Sequence, residues 1–334
     1  MQILKRKIIN KSMRSIRKVF LFLTIGLFFA CGGNEKDVKF EDMSDSEKIS
    51  YLNAKIRKEP NNADLFFKRA KTLREKGEFQ EALLDIQKAV SIDKKNAEYY
   101  VLQADILFSQ GETALAFSSL QTAKEVDGKF IEAYLKSAEL SLYVKDYEKT
   151  MFDLKQAILL DKLNPTAYFL RGWALKEQGD TINAVKDYQK AIELKSDYEQ
   201  AYEELGVLYS IKGDPIAIEY LNSTININPN NYSAMYVLAL FYQEHNAIAK
   251  ALETYQKLLE IKPDHADALH NVGYINLIEK QDYDIAIECF TSAIKVDSLF
   301  WQAYLSRAEA YEKKGESEKA KADFQRVEEL KSKM

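Results

Sequence analysis

From residue 63 onward, apolar and small residues fall at steps of three and four, pause, and resume. Phe66, Ala70 and Leu73 mark one stretch, Gly77 and Phe79 interrupt it, and Ala82, Ile86, Ala89 and Ile92 mark the next. Such steps place side chains on one face of a helix, so each stretch predicts an amphipathic helix and the interruption a turn. The pattern returns every 34 residues, dividing residues 63–334 into eight units: 63–96, 97–130, 131–164, 165–198, 199–231, 232–265, 266–300 and 301–334. The fifth is one residue short near Gly213-Asp214-Pro215 and the seventh one long near Lys280-Gln281-Asp282. One such pair of helices cannot bury its own apolar face, so the period predicts an all-α solenoid of stacked hairpins.

Small residues and helix breakers support the register. Ala70, Ala104, Ala138, Gly172, Gly206, Ala239, Gly273 and Ala308 occupy one place of each first helix, where two helices must approach closely. Gly77, Gly111, Gly179, Gly213 and Gly315 fall between paired helices, Pro60, Pro229 and Pro263 close units, and Pro165 opens one. Pro215 is expected to begin a second helix, where its missing N–H costs nothing. Residues 63–334 resemble the tetratricopeptide repeat family. That resemblance implies a right-handed α-solenoid of helical hairpins that binds other proteins. Leu52, Ile56 and Pro60 look like half a repeat, so 46–62 is expected to cap the first hairpin with a helix over roughly 45–58.

The first thirty residues follow a different pattern. Seven Lys and Arg, with no Asp or Glu, precede the apolar run 19–30, which ends at Cys31. This is the order of a secretory signal, with translation starting at Met1 or Met13. A twelve-residue helix would rise only about 18 Å, short of the roughly 30 Å needed to cross a bilayer. Leu27-Phe28-Phe29-Ala30-Cys31 resembles the lipobox of bacterial lipoproteins. The resemblance implies a signal over 1–30, acyl chains on Cys31 holding the protein to a lipid bilayer, and a lipidated flexible tether over 31–45. Gly32 after the cysteine, by resemblance to enterobacterial sorting, points to the outer membrane. Asn34-Glu35-Lys36-Asp37 resembles the acidic tether of some surface lipoproteins of Bacteroidota, and which side of the membrane is occupied stays open.

Charge and reactive residues narrow the function. The whole chain carries a formal charge of −4, and without residues 1–30 it holds 40 basic against 51 acidic side chains. An acidic array repels phosphate backbones, so nucleic acid is not an expected partner. The three histidines, His245, His265 and His270, lack metal-ligand spacing, and no HExxH, CxxC, GxSxG or phosphate-binding glycine loop is present. The expectation is a protein that is not an enzyme and has no metal or cofactor, with Cys289 packed as core.

The resemblance also implies where a ligand would lie. In the family, first helices line a concave face, with the fifth, ninth and twelfth places of each unit pointing inward. Phe169, Trp173, Tyr236 and Tyr274 are the expected anchors for an extended peptide, Phe108, Leu135, Val207 and Leu240 the walls, and Tyr143 lies alongside. The alternative is that superhelical curvature buries these side chains as core. Val101, Asp105, Leu135 and Glu139 do not reproduce the Lys, Asn and Arg clamp with which some family members hold a C-terminal carboxylate. Two functions are therefore expected: an envelope adaptor or assembly scaffold for a protein or peptide, or a self-associating structural solenoid.

Overall fold

A computed structural model describes residues 39–332. The expected leader, Cys31 and the expected tether up to residue 38 lie outside the described residues, as do 333 and 334. Seventeen α-helices and no strand occur among the described residues. The chain divides into two compact units, the first ending at Leu194 and the second beginning at Lys195.

In the first unit, α1 (Asp45–Lys58) precedes four hairpins. These are α2 (Ala63–Glu75) with α3 (Phe79–Ile92), α4 (Ala97–Ser109) with α5 (Thr113–Val126), α6 (Ile131–Tyr143) with α7 (Tyr147–Leu160), and α8 (Pro165–Glu177) with α9 (Thr181–Leu194). Ser44 starts α1 through a capping box with Glu47, satisfying backbone donors at that end. Leu52 is buried on α1, and Ile49 and Ile56 pack against the core of the first hairpin. The tyrosines at the fourth place of hairpins two to four have a shared task. The hydroxyls of Tyr100, Tyr134 and Tyr168 donate to the carbonyls of Lys94, Gly128 and Lys162, at 3.1–3.2 Å, pinning each first helix to the link before it.

The second unit contains α10 (Glu199–Lys212) with α11 (Ala217–Ile227), α12 (Tyr232–Glu244) with α13 (Ile248–Ile261), α14 (Ala266–Ile275) with α15 (Tyr283–Val296), and α16 (Trp301–Lys314) with α17 (Ser317–Lys331). Here the two length changes are absorbed in ways the repeat pattern did not indicate. Pro215 does not open the second helix, because α11 starts at Ala217. Pro215 and Ile216 instead form a turn closed by Ala217 N–H to Asp214 and Ile218 N–H to Pro215, both at 3.0 Å, so the missing residue shortens α11 to 11 residues. The extra residue of the seventh hairpin widens the end of its first helix into a π-turn, Asn276–Lys280, and the Asn276 amide donates to the Val272 carbonyl at 2.8 Å.

Each turn inside a hairpin carries one residue in the left-handed region. Gly77, Gly111, Gly179, Gly213 and Gly315 fill five, whereas Lys145, Asn246 and Gln281 fill the others with φ of 63°, 58° and 55°. A side chain with a Cβ is strained in that region, by roughly 1–2 kcal/mol, and lysine lacks the local hydrogen bonding that makes asparagine tolerable. Lys145→Gly is therefore expected to stabilise the first unit by about 1 kcal/mol, read as a melting temperature raised by about 2–4 °C. An unchanged or lower melting temperature would contradict this.

Three hairpins also share an internal ion pair sixteen residues apart. The guanidinium of Arg69 grips Asp85, Arg171 grips Asp187 and Arg307 grips Asp323, each through two bonds of 2.6–2.8 Å. In the third hairpin, Ser137 stands where the arginine would be, and Lys124 from α5 reaches Asp153 on α7 at 2.6 Å instead.

Candidate functional site

The first-helix faces of the two units differ in chemistry. In the first unit, Phe108 on α4 meets Tyr143 at the end of α6 edge-on, with ring centroids 5.1 Å apart. Tyr143 is 66% exposed, so this pair presents an aromatic face to solvent. Phe169 and Trp173, one turn apart on α8, are half-buried and lean on the cluster containing Leu135, Ala138, Leu154 and Leu170. Beside these aromatics runs a charged chain. Arg74 donates to Asp105 at 2.7 Å, and Lys136 lies 3.8 Å from Asp105 and 3.0 Å from Glu139. Burial raises the Asp105 carboxyl despite Lys136 and Arg74. Burial works against the Lys136 ammonium, yet Asp105 and Glu139 hold its pKa above the usual value.

In the second unit, Val207 and Leu240 are half-buried and Tyr274 is 41% exposed. Tyr236 is buried at 8% exposure; its ring stacks on His265 at 5.0 Å and its hydroxyl accepts from the Asn271 amide at 3.4 Å. The same amide donates to the Tyr255 hydroxyl at 2.9 Å, and burial raises the pKa of both phenols. His270 lies among Tyr274, Phe290 and Phe300, with its Nε2 3.1 Å from the Ser306 hydroxyl, and burial lowers its pKa.

These placements correct two of the expected contact residues. Leu135 and Tyr236 are buried, the first beneath the α8 aromatics and the second under His265 and Asn271. They support the faces from behind and offer a ligand almost nothing. Phe108, Tyr143, Phe169 and Trp173 share the first unit, while Val207, Leu240 and Tyr274 share the second. Cys289 is half-buried and burial pushes its thiol up to about 11, the direction that disfavours the thiolate. No group of His, Cys, Asp and Glu suited to a metal occurs among the described residues, and no described helix is long and apolar enough to cross a membrane.

Models of the tetratricopeptide repeat match residues 67–128, 172–213, 232–265 and 275–333, more than half of the chain. The chain belongs to the tetratricopeptide repeat family. Among its relatives, the BBSome complex member BBS4 of Bos taurus is 27% identical over 162 residues, 48% of this chain and 31% of that protein. Tetratricopeptide repeat protein 13 of Homo sapiens is 29% identical over 131 residues, 39% of this chain and 15% of that one. The chain thus spans about a third or less of these relatives. A tetratricopeptide repeat protein from Parabacteroides merdae shares the fold at a TM-score of 0.50 and 17% identity, covering 74% of this chain and 98% of that one. The hairpins described above are therefore tetratricopeptide repeats, and the architecture is their all-α solenoid.

Proposed function

We propose that this tetratricopeptide repeat protein is an adaptor of the bacterial cell envelope, lipid-anchored through Cys31, that holds an extended segment of a partner protein against its first helices. The observation carrying the reading is the aromatic face of the first unit. Phe108 and Tyr143 form a solvent-facing pair, and half-buried Phe169 and Trp173 stand on a packed floor. Rigid aromatics with one face open and a charged rim are the usual energetic centres of protein interfaces. The lipobox-like sequence before Cys31 supports the anchor, and its Gly32 the outer membrane.

A photo-crosslinker at position 143 in growing cells should trap a discrete partner. Phe108→Ala with Trp173→Ala should then reduce that adduct by about tenfold or more, because each aromatic centre contributes on the order of 1–2 kcal/mol. An undiminished adduct in a folded double variant would remove the assignment.

One observation favours a second reading, self-association. Leu84, Leu115, Phe152 and Ile182, on the second helices of the first unit, are 53–68% exposed. Light scattering that shows a monomer at all concentrations would discard it.

A further inference from the structure

The two first-helix faces treat their charges in opposite ways. At the fifth, ninth and twelfth places the first unit carries Lys71, Arg74 and Lys176 against Asp105 and Glu139. Its two carboxylates are neutralised within the protein, by Arg74 and Lys136. The same places of the second unit hold Glu203, Glu309 and Glu312 and no Lys or Arg. Glu309 and Glu312 are exposed on α16 and form no ion pair among the described residues. Glu203 on α10 receives only a neutral amide, from Asn231 at 3.0 Å, and Glu199 beside it receives Asn228 and Asn231 at 2.8 and 2.9 Å. The cations in the last turns of these helices are Lys212, Lys313 and Lys314, and Lys314 is held by Asp284 and Glu316.

Between the acidic ends, the middle of this face is apolar and aromatic, with Leu240 half-buried on α12 and Tyr274 exposed on α14. The first helices stand side by side, as the contact of Asn231 with Glu203 and the bonds of Asn271 to Tyr236 and of His270 to Ser306 show. From α10 to α16 are three helix spacings of about 10 Å, so the acidic ends lie about 30 Å apart. An extended chain advances about 3.3 Å per residue, and about nine residues cover that span.

Resting on the adaptor reading above, we infer that the second unit takes an extended peptide of about ten residues with Lys or Arg at both ends and an apolar or aromatic middle. Its end cations would meet Glu203 on one side and Glu309 and Glu312 on the other, and its middle would lie on Leu240 and Tyr274. Carboxylates left without a cation beside an apolar face attract complementary charge and disfavour acidic partners.

The test is fluorescence anisotropy on the full chain with three labelled decapeptides. One has two cations at each end around a six-residue Leu-Ala-Leu-Tyr-Ala-Leu middle, one has the same composition with its cations gathered centrally, and one has Glu in place of every cation. The first should bind about tenfold tighter than either of the others. Glu309→Lys with Glu312→Lys should weaken it by about tenfold with the melting temperature unchanged. Glu81→Lys with Glu148→Lys, the same change of net charge on exposed sites of α3 and α7, should leave it unaffected. Equal binding of the three peptides, or an equal loss in the control variant, would overturn the inference. If binding is indifferent to charge yet lost in Tyr274→Ala, the second unit still takes a peptide and only the cationic preference falls; if Tyr274→Ala is also without effect, this face has no peptide role and the adaptor reading keeps only its first-unit face.

Discussion

Lys124→Met is expected to destabilise the first unit by about 3–5 kcal/mol, lowering its melting temperature by on the order of 10 °C. The Asp153 carboxylate is 2% exposed, and its Oδ1 is held by Lys124 alone, at 2.6 Å. Its Oδ2 has no hydrogen-bond partner. Burial lowers the pKa of Lys124, with Asp153 opposing that shift, so the ammonium is desolvated for one contact and for the Tyr134 ring 5.1 Å away. Removing it strands a buried carboxylate between the second and third hairpins. Adding Asp153→Leu should recover most of the loss, since a buried pair replaced by apolar groups is often neutral or better. Denaturant unfolding of the single and double variants decides the matter. A single variant as stable as the parent, or a double variant no better than the single, would show that the pair does not bear on stability.

Gly206→Val should cost the second unit about 3 kcal/mol. A Cβ at position 206 would lie 2.7 Å from the Leu221 Cγ and Cδ2 and 3.3 Å from the Leu221 backbone nitrogen. Leu221 is fully buried and locked in the core with Ala217, Ala234 and Leu238, so it cannot yield without displacing its neighbours. Overpacking a dense core forces strained rotamers and backbone shifts. Pairing the change with Leu221→Ala should restore a good part of the stability by vacating that volume. Thermal melts of the three variants test it, and a double variant less stable than either single one would show that the steric account is wrong.

The charged groups were less legible than the apolar ones. Arg69 and Asp85, Arg171 and Asp187, and Arg307 and Asp323 all stand sixteen apart in the sequence. That recurrence was available, but a spacing of sixteen links two helices and carries meaning only once the hairpin is closed. The substitution of Lys124 for the missing arginine crosses from one hairpin to the next and has no such signature. Pro215 shows the same limit: proline is tolerated in a first helical turn, but the one-residue deletion moves that turn ahead of the helix.

The candidate surface divides along the same line. The family resemblance implied which places of each first helix face inward, and 3.6 residues per turn is what lets those places share a face. It could not tell Tyr143, at the open end of α6, from Tyr236, covered by His265 and Asn271, since coverage comes from side chains on neighbouring hairpins. By itself the sequence determined the all-α repeat and its small-residue crossings. Those follow from local periodicity and from the need of each hairpin to bury one face. Tertiary structure alone decided which aromatics stay open, which carboxylates find a cation, and how one inserted residue becomes a π-turn, because each depends on atoms that meet only after the hairpins stack.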